Sequence, residues 1–280
     1  MVFDFRQVNE QMIQSAIKKP IVVIGIGEMS GVFTRGLLKA GYPLYPVTRD
    51  MNIQAVSEQL NDPEMVLVAV GENDLAPVLE QLSEHWKDRL CLLQNELLPR
   101  DWQAHKINNP SVISVWFEKK KGQDFKVLVP SPVTGPKAEL IKNALAQLEI
   151  PCWRVKNEQE MLFELVRKNL YILTTNIAGL DMAPGCDVNE LWDEHRDLAL
   201  RIIADVLTIQ AHLTSQNFDD SDRERLIEAM VEAINGDLGH KCMGRSAPAR
   251  LARAVNYAKA NNLEVKELTR IAEEQLEAEI

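Results

Sequence analysis

The 280 residues contain no apolar run long enough to cross a bilayer, no closely spaced cysteines and no surplus of positive charge. Each absence excludes something. A membrane-spanning helix needs about 20 predominantly apolar residues in a row. The opening MVFDFRQVNEQMIQ lacks the basic region and apolar stretch of a secretory signal. Cys91, Cys152, Cys186 and Cys242 stand far apart, without the CxxC or Cys/His spacing of a metal centre, so they read as reduced, mostly buried thiols. The expectation is a cytoplasmic protein without a metal. Against 31 Lys and Arg stand 41 Asp and Glu, a net charge of -10. Gripping a phosphate backbone takes the opposite balance, so neither nucleic acid nor a membrane is an expected partner. The one basic run, Lys119, Lys120 and Lys121, reads as a solvated hairpin tip.

What is present is a strict alternation. Apolar groups at helical spacing (Phe5, Val8, Met12, Ile13, Ala16) predict a short helix over 5–18. IVVIGIG then reads as a central parallel strand, buried on both faces and ending in glycine. A helix from Ser30 to Ala40, stopped by Gly41, leads to a second strand, LYPVT. The rhythm continues with a helix over 52–60, the strand MVLVAV, a helix over 74–85 and the strand LCLLQN. Such alternation predicts a doubly wound parallel sheet. From residue 111, SVISVWFEKKKGQDFKVLVPS predicts a hairpin instead of another crossover, followed by a helix and a last short strand, CWRV. Beyond residue 156 only helical spacing remains, over 157–180, 189–213, 220–235 and 247–277. The chain is therefore expected to divide into a dinucleotide-binding type of domain over 1–155 and a helical domain over 156–280, with a ligand cleft between them.

Gly25 and Gly27 occupy the first two glycine positions of a dinucleotide loop, where they allow the tight turn and the approach of backbone to a pyrophosphate. Ser30 fills the third, and Glu28 places a carboxylate in the turn, where it opposes phosphates. The loop follows a buried strand and opens a helix, the context that gives a glycine pair its meaning. Past the second strand stands Arg49, which suits a 2'-phosphate and points to NADP, with Asp50 as the competing signal for NAD.

Several segments in order resemble the ketopantoate reductase family over nearly the whole chain from about residue 20. They are the glycine loop with Arg49 at the family's spacing, LLQNELL (92–98), the hairpin ending in TGP (134–136), LFELVRKNLYILTTNIAGL (162–180) and AINGDL (233–238). The resemblance implies an N-terminal Rossmann domain and a C-terminal helical domain of the 6-phosphogluconate dehydrogenase type. It also implies reduction of a small 2-keto acid with NADPH. The apolar helix LALRIIADVLTIQ (198–210) suits a homodimer interface and a monomer's core equally, so the assembly stays open. Lys168 matches the family's general acid, Asn95 the residue near the nicotinamide ribose and substrate, and Asn176 a substrate-side amide. From the residues alone, Lys168, Tyr171, Ile172, Thr175, Asn176 and Gly179 share one helix stripe, unusually polar for a domain interface.

Other positions depart from the family. Ile172 stands for an Asn, Glu96 for the Gly after Asn95, Gly71 for a lysine that would touch the cofactor, and Met230 for a Glu. Glu228 and Glu232 cannot replace that Glu, because two residues rotate a helix by roughly 200°. The fold and the acid are kept while part of the substrate clamp is lost, so the substrate is expected to differ from ketopantoate. A rival reading stays open, in which a dinucleotide-binding or ligand-free protein acts through dimerisation or a partner. His195 and His212 read as surface or helix-end residues.

Overall fold

The computed structural model describes residues 17–278. The helix expected over 5–18 lies, up to residue 16, outside the described residues. Strand β1 (Ile21–Ile24) leads through the glycine loop into α1 (Glu28–Lys39), then β2 (Leu44–Val47), α2 (Ile53–Gln59) and β3 (Met65–Val68). After a 3-10 turn (Glu72–Asp74) come α3 (Leu75–Glu80), α4 (Glu84–Lys87), β4 (Leu90–Leu92), α5 (Pro99–Gln103) and β5 (Ser111–Ile113). These five strands form a parallel sheet in the order β2-β1-β3-β4-β5, the doubly wound arrangement predicted from alternation. Its reversal of winding lies between β1 and β3, where α/β sheets bind ligands beyond the carboxyl ends of their strands.

The expected single helix over 74–85 is divided. Ser83 takes an extended conformation (φ -67°, ψ 147°) and its hydroxyl meets that of Ser57 on α2. Trp86, fully buried, donates its indole N–H to the carbonyl of Leu60 at 2.9 Å. Anchoring that indole under α2 resets the chain direction and splits the helix.

The hairpin is β6 (Phe117–Lys119) with β7 (Phe125–Val127), and it stands apart from the main sheet as a separate two-stranded flap. Beyond it β8 (Ser131–Thr134) returns antiparallel to β5, and after α6 (Ala138–Ala146) the strand β9 (Cys152–Arg154) pairs parallel with β8. The basic run is not wholly a solvated tip. Lys119 belongs to β6, and its amine lies 3.3 Å from the carboxylate of Glu28 in the glycine loop.

Helices fill the remainder: α7 (Glu158–Asp181), α8 (Val188–Asp193), α9 (Arg196–Thr214), α10 (Asp220–Gly236), α11 (Ala247–Ala260) and α12 (Lys266–Ala278). The side chain of Asn157 caps α7 by accepting the N–H of Glu160 at 2.8 Å. At 24 residues this helix runs about 36 Å. It is buried on almost every side, with α9, α10 and α11 packed around it. No helix among the described residues is long and apolar enough to cross a membrane.

The period-two alternation of each strand divides the core. Val22, Ile24, Val66, Val68, Leu90 and Leu92 face one way, in a cluster continuous with Trp116 and α7. Ile21, Val23, Met65, Leu67 and Cys91 face the other, beneath Phe33 and Leu37 of α1 and Ile141 and Leu145 of α6. The two covering helices touch at Gly36, where a Cβ would lie 2.4 Å from the carbonyl oxygen of Ala144. Gly36→Ala is therefore expected to lever α1 off α6 and lower stability by about 1–3 kcal/mol in urea unfolding. An unchanged midpoint and slope would show that the helices part freely.

Candidate active site

The glycine loop keeps the shape that its sequence suggested. Gly25 has φ +92°, and a Cβ there would sit 2.7 Å from the carbonyl oxygen of Ala69, so only glycine suits the turn. At Gly27 an added Cβ would meet nothing within 4 Å. This open ground lies at the N-cap of the 12-residue α1. Ser30, at the third position, is buried, its hydroxyl accepting the Gly27 N–H and donating to the Gly27 carbonyl, both at 2.8 Å. It braces the turn from inside. Lys119 draws Glu28 across the rim, so the carboxylate in the turn is partly neutralised.

Between this loop and α7 lies a cleft of about 610 Å³. Gly27, Gly71, Asn95, Lys168 and Asn176 border it, as does Ile172. Gly25 and Ser30 shape the loop without bordering the cleft. Arg49, its side chain 91% exposed, lies outside it beyond β2 and reaches Asp74 at 3.2 Å. His195 is exposed at the N-cap of α9, and His212 meets the Tyr257 hydroxyl at 2.7 Å. Met230 is fully buried, as its apolar neighbours suggested.

Lys168 points its amine at the carbonyl of Val115, 2.5 Å away, and stands 4.4 Å from the centre of the Trp116 ring. Arg167 lies over the same indole at 5.0 Å. Burial first, then the positive charges of Arg250 and Arg167, pull the lysine pKa down to about 7, against the opposing pull of Glu118. An amine poised there can exist in both protonation states near neutral pH.

Arg250 is the residue that the sequence reading missed. Only 8% exposed, it donates to Asn176 Oδ1 at 2.7 Å, to Glu72 at 2.8 Å and to Glu96 at 3.0 Å. Arg253 joins Glu96 at 2.5 Å. Burial alone would raise the Glu72 pKa, but a backbone hydrogen bond and the Arg250 charge together hold it below the ordinary value. A signal existed, because Ala247, Leu251, Ala254, Val255 and Ala258 form the buried stripe of α11 and Arg250 falls within it. Glu96, standing where the family has glycine, still adopts φ +60°. A left-handed non-glycine residue costs on the order of 1–3 kcal/mol, and the two arginines offset that strain.

This arrangement fits a dinucleotide. The open Cβ space at Gly27 lets a pyrophosphate approach the first N–H groups of α1, and Asn95 with Asn176 offers amides deeper in the cleft.

No protein-family model and no curated protein matches the sequence. Solved structures do. The chain is similar to a 2-dehydropantoate 2-reductase from Methylococcus capsulatus, with TM-score 0.63 and 12% identity over 93% of this chain and 96% of that one. It is similar to a dimeric ketopantoate reductase from Staphylococcus aureus, with TM-score 0.59 and 14% identity over 91% and 96%. A D-mandelate dehydrogenase solved with NADH follows at TM-score 0.60 and 11% identity, covering 92% and 99%. The fold is thus that of the ketopantoate reductases, as the ordered segments suggested.

Removing the Arg250 guanidinium would strand Glu72 and leave Glu96 with Arg253 alone. Arg250→Ala is expected to cost about 3–5 kcal/mol in chemical denaturation. A loss under 1 kcal/mol would mean that water replaces the arginine without penalty.

Proposed function

We propose that the protein is an NADP-dependent oxidoreductase that reduces a small carbonyl compound of the 2-keto acid kind, on a substrate other than ketopantoate. The observation that carries this reading is the Lys168 amine, held near a pKa of 7 in the cleft that the glycine loop opens. The pyrophosphate of NADPH would lie on Gly27 and the N-terminus of α1, over the turn shaped by Gly25 and Ser30. Arg49 would leave Asp74 for the 2'-phosphate. Gly71 gives room along the cofactor, where the resemblance would have a lysine. A reduced nicotinamide bound here supplies the hydride.

The chain's own residues do the rest. Asn95 and Asn176 orient the carbonyl compound. Lys168, as ammonium, gives its proton to the carbonyl oxygen as the carbon is reduced, then regains one from water. Arg250 fixes the Asn176 amide, since its guanidinium binds Oδ1. A homodimer in the cytoplasm belongs to the same reading, supported by the dimeric Staphylococcus aureus structure of this fold.

Quenching of the five tryptophans by NADPH and by NADH is the first test. Micromolar NADPH with weaker NADH is expected, and Arg49→Ala should remove the preference; no quenching by either nucleotide sinks the reading. Glu28→Gln, by clearing the carboxylate from the turn, should tighten NADPH roughly two- to fivefold.

Once a substrate is identified by screening, Lys168→Ala should lower kcat by about 10²–10⁴-fold. The acid is the charged amine, so reduction fades as pH rises through 7, falling about tenfold per unit above it. The reverse oxidation, which needs the neutral amine, gains over the same window. A Lys168→Ala variant with the wild-type pH profile would remove the lysine from the mechanism.

A further inference from the structure

Glu118 on β6 of the flap meets Asp237 and His240, from the segment between α10 and α11, and Glu118 and His240 border the cleft. One oxygen of each acid is already engaged: Glu118 Oε1 by Lys120 at 3.1 Å and Asp237 Oδ1 by Lys126 at 2.6 Å. Their other oxygens lie 3.8 and 4.0 Å from the same atom, His240 Nδ1. Those separations are too long for hydrogen bonds. The nitrogen is shielded from solvent and has no partner. All three ligand atoms lie within 4.8 Å of one another.

A second buried group points to the same place. Tyr171 is 3% exposed, its hydroxyl is unpartnered, and its ring centre lies 6.1 Å from that of His240.

We propose that Glu118, Asp237 and His240 form a binding site for a divalent transition-metal ion of the zinc class. Two carboxylates and one imidazole are a ligand set such ions accept, and bonds of about 2.0–2.2 Å bring ligand atoms roughly 3–4 Å apart. Three protein ligands leave a fourth position for water or for an oxygen of a molecule in the cleft. The ion would join the flap to the helices, and its binding is independent of the reductase reading. Glu190, Glu194 and His195 form a second cluster on α8 and the turn beyond it. It has no buried unpartnered atom and serves as the control.

The test uses the full, untagged chain stripped with a chelator. Zn²⁺ is titrated by calorimetry and thermal melting, and Co²⁺ by visible absorption, which separates thiolate from oxygen and nitrogen ligation. One ion per chain, a raised Tm and no thiolate band are expected. Glu118→Gln and His240→Asn should each weaken binding at least about tenfold. A Glu190→Gln, His195→Asn double variant should leave it unchanged. Absence of saturable binding, a thiolate band, or full affinity in the Glu118→Gln and His240→Asn variants overturns the site.

Discussion

The buried charge of Arg250 constrains the rest of the structure. A guanidinium removed from water must find compensation on several sides, and here the partners come from three places: the turn after β3, the turn after β4 and the C-terminal part of α7. The carboxyl ends of the strands are thereby tied to the helices at one point. Both the height of the cleft and the orientation of Asn176 follow from that tie. Apolar packing alone fixes how much surface is buried; a forked donor also fixes direction.

The same charge reaches Lys168 through space. Two arginines beside a lysine that shares its indole surface with one of them disfavour its ammonium form, and burial disfavours it further. The lysine in turn works against stability wherever it must stay protonated. Its folded pKa lies below that of the unfolded chain, so the unfolded state binds more protons between about 7 and the ordinary lysine value. Across that window stability rises with pH. The fold tolerates this cost because Trp116 and the Val115 carbonyl stabilise the charge that remains.

Much of this was legible in the sequence, and the reasons are local. IVVIGIG gave the first strand and the loop because apolar continuity and glycine are properties of neighbouring residues. Lys168, Asn176 and Ile172 were placed on one face by helical spacing alone, and all three border the cleft. Position 30 could be read as a small residue tolerated in the loop, but the bracing of Gly27 by its hydroxyl depends on geometry that spacing does not carry. Trp86 split a helix through a carbonyl on another element. Glu118 and His240 come together only through tertiary folding, and no periodicity links them.

The flap has its own implication. Its strands leave from β5 and return to β8, which are neighbours in the sheet, so its two roots are fixed side by side while its tip stands clear. Changes in its length or composition need not disturb any ladder of the main sheet. The rim of the cleft, with Glu118 and Lys119 on it, is therefore built on backbone that the main sheet does not share. A substitution on the flap thus alters what the cleft presents to a ligand without passing through the foundation beneath it.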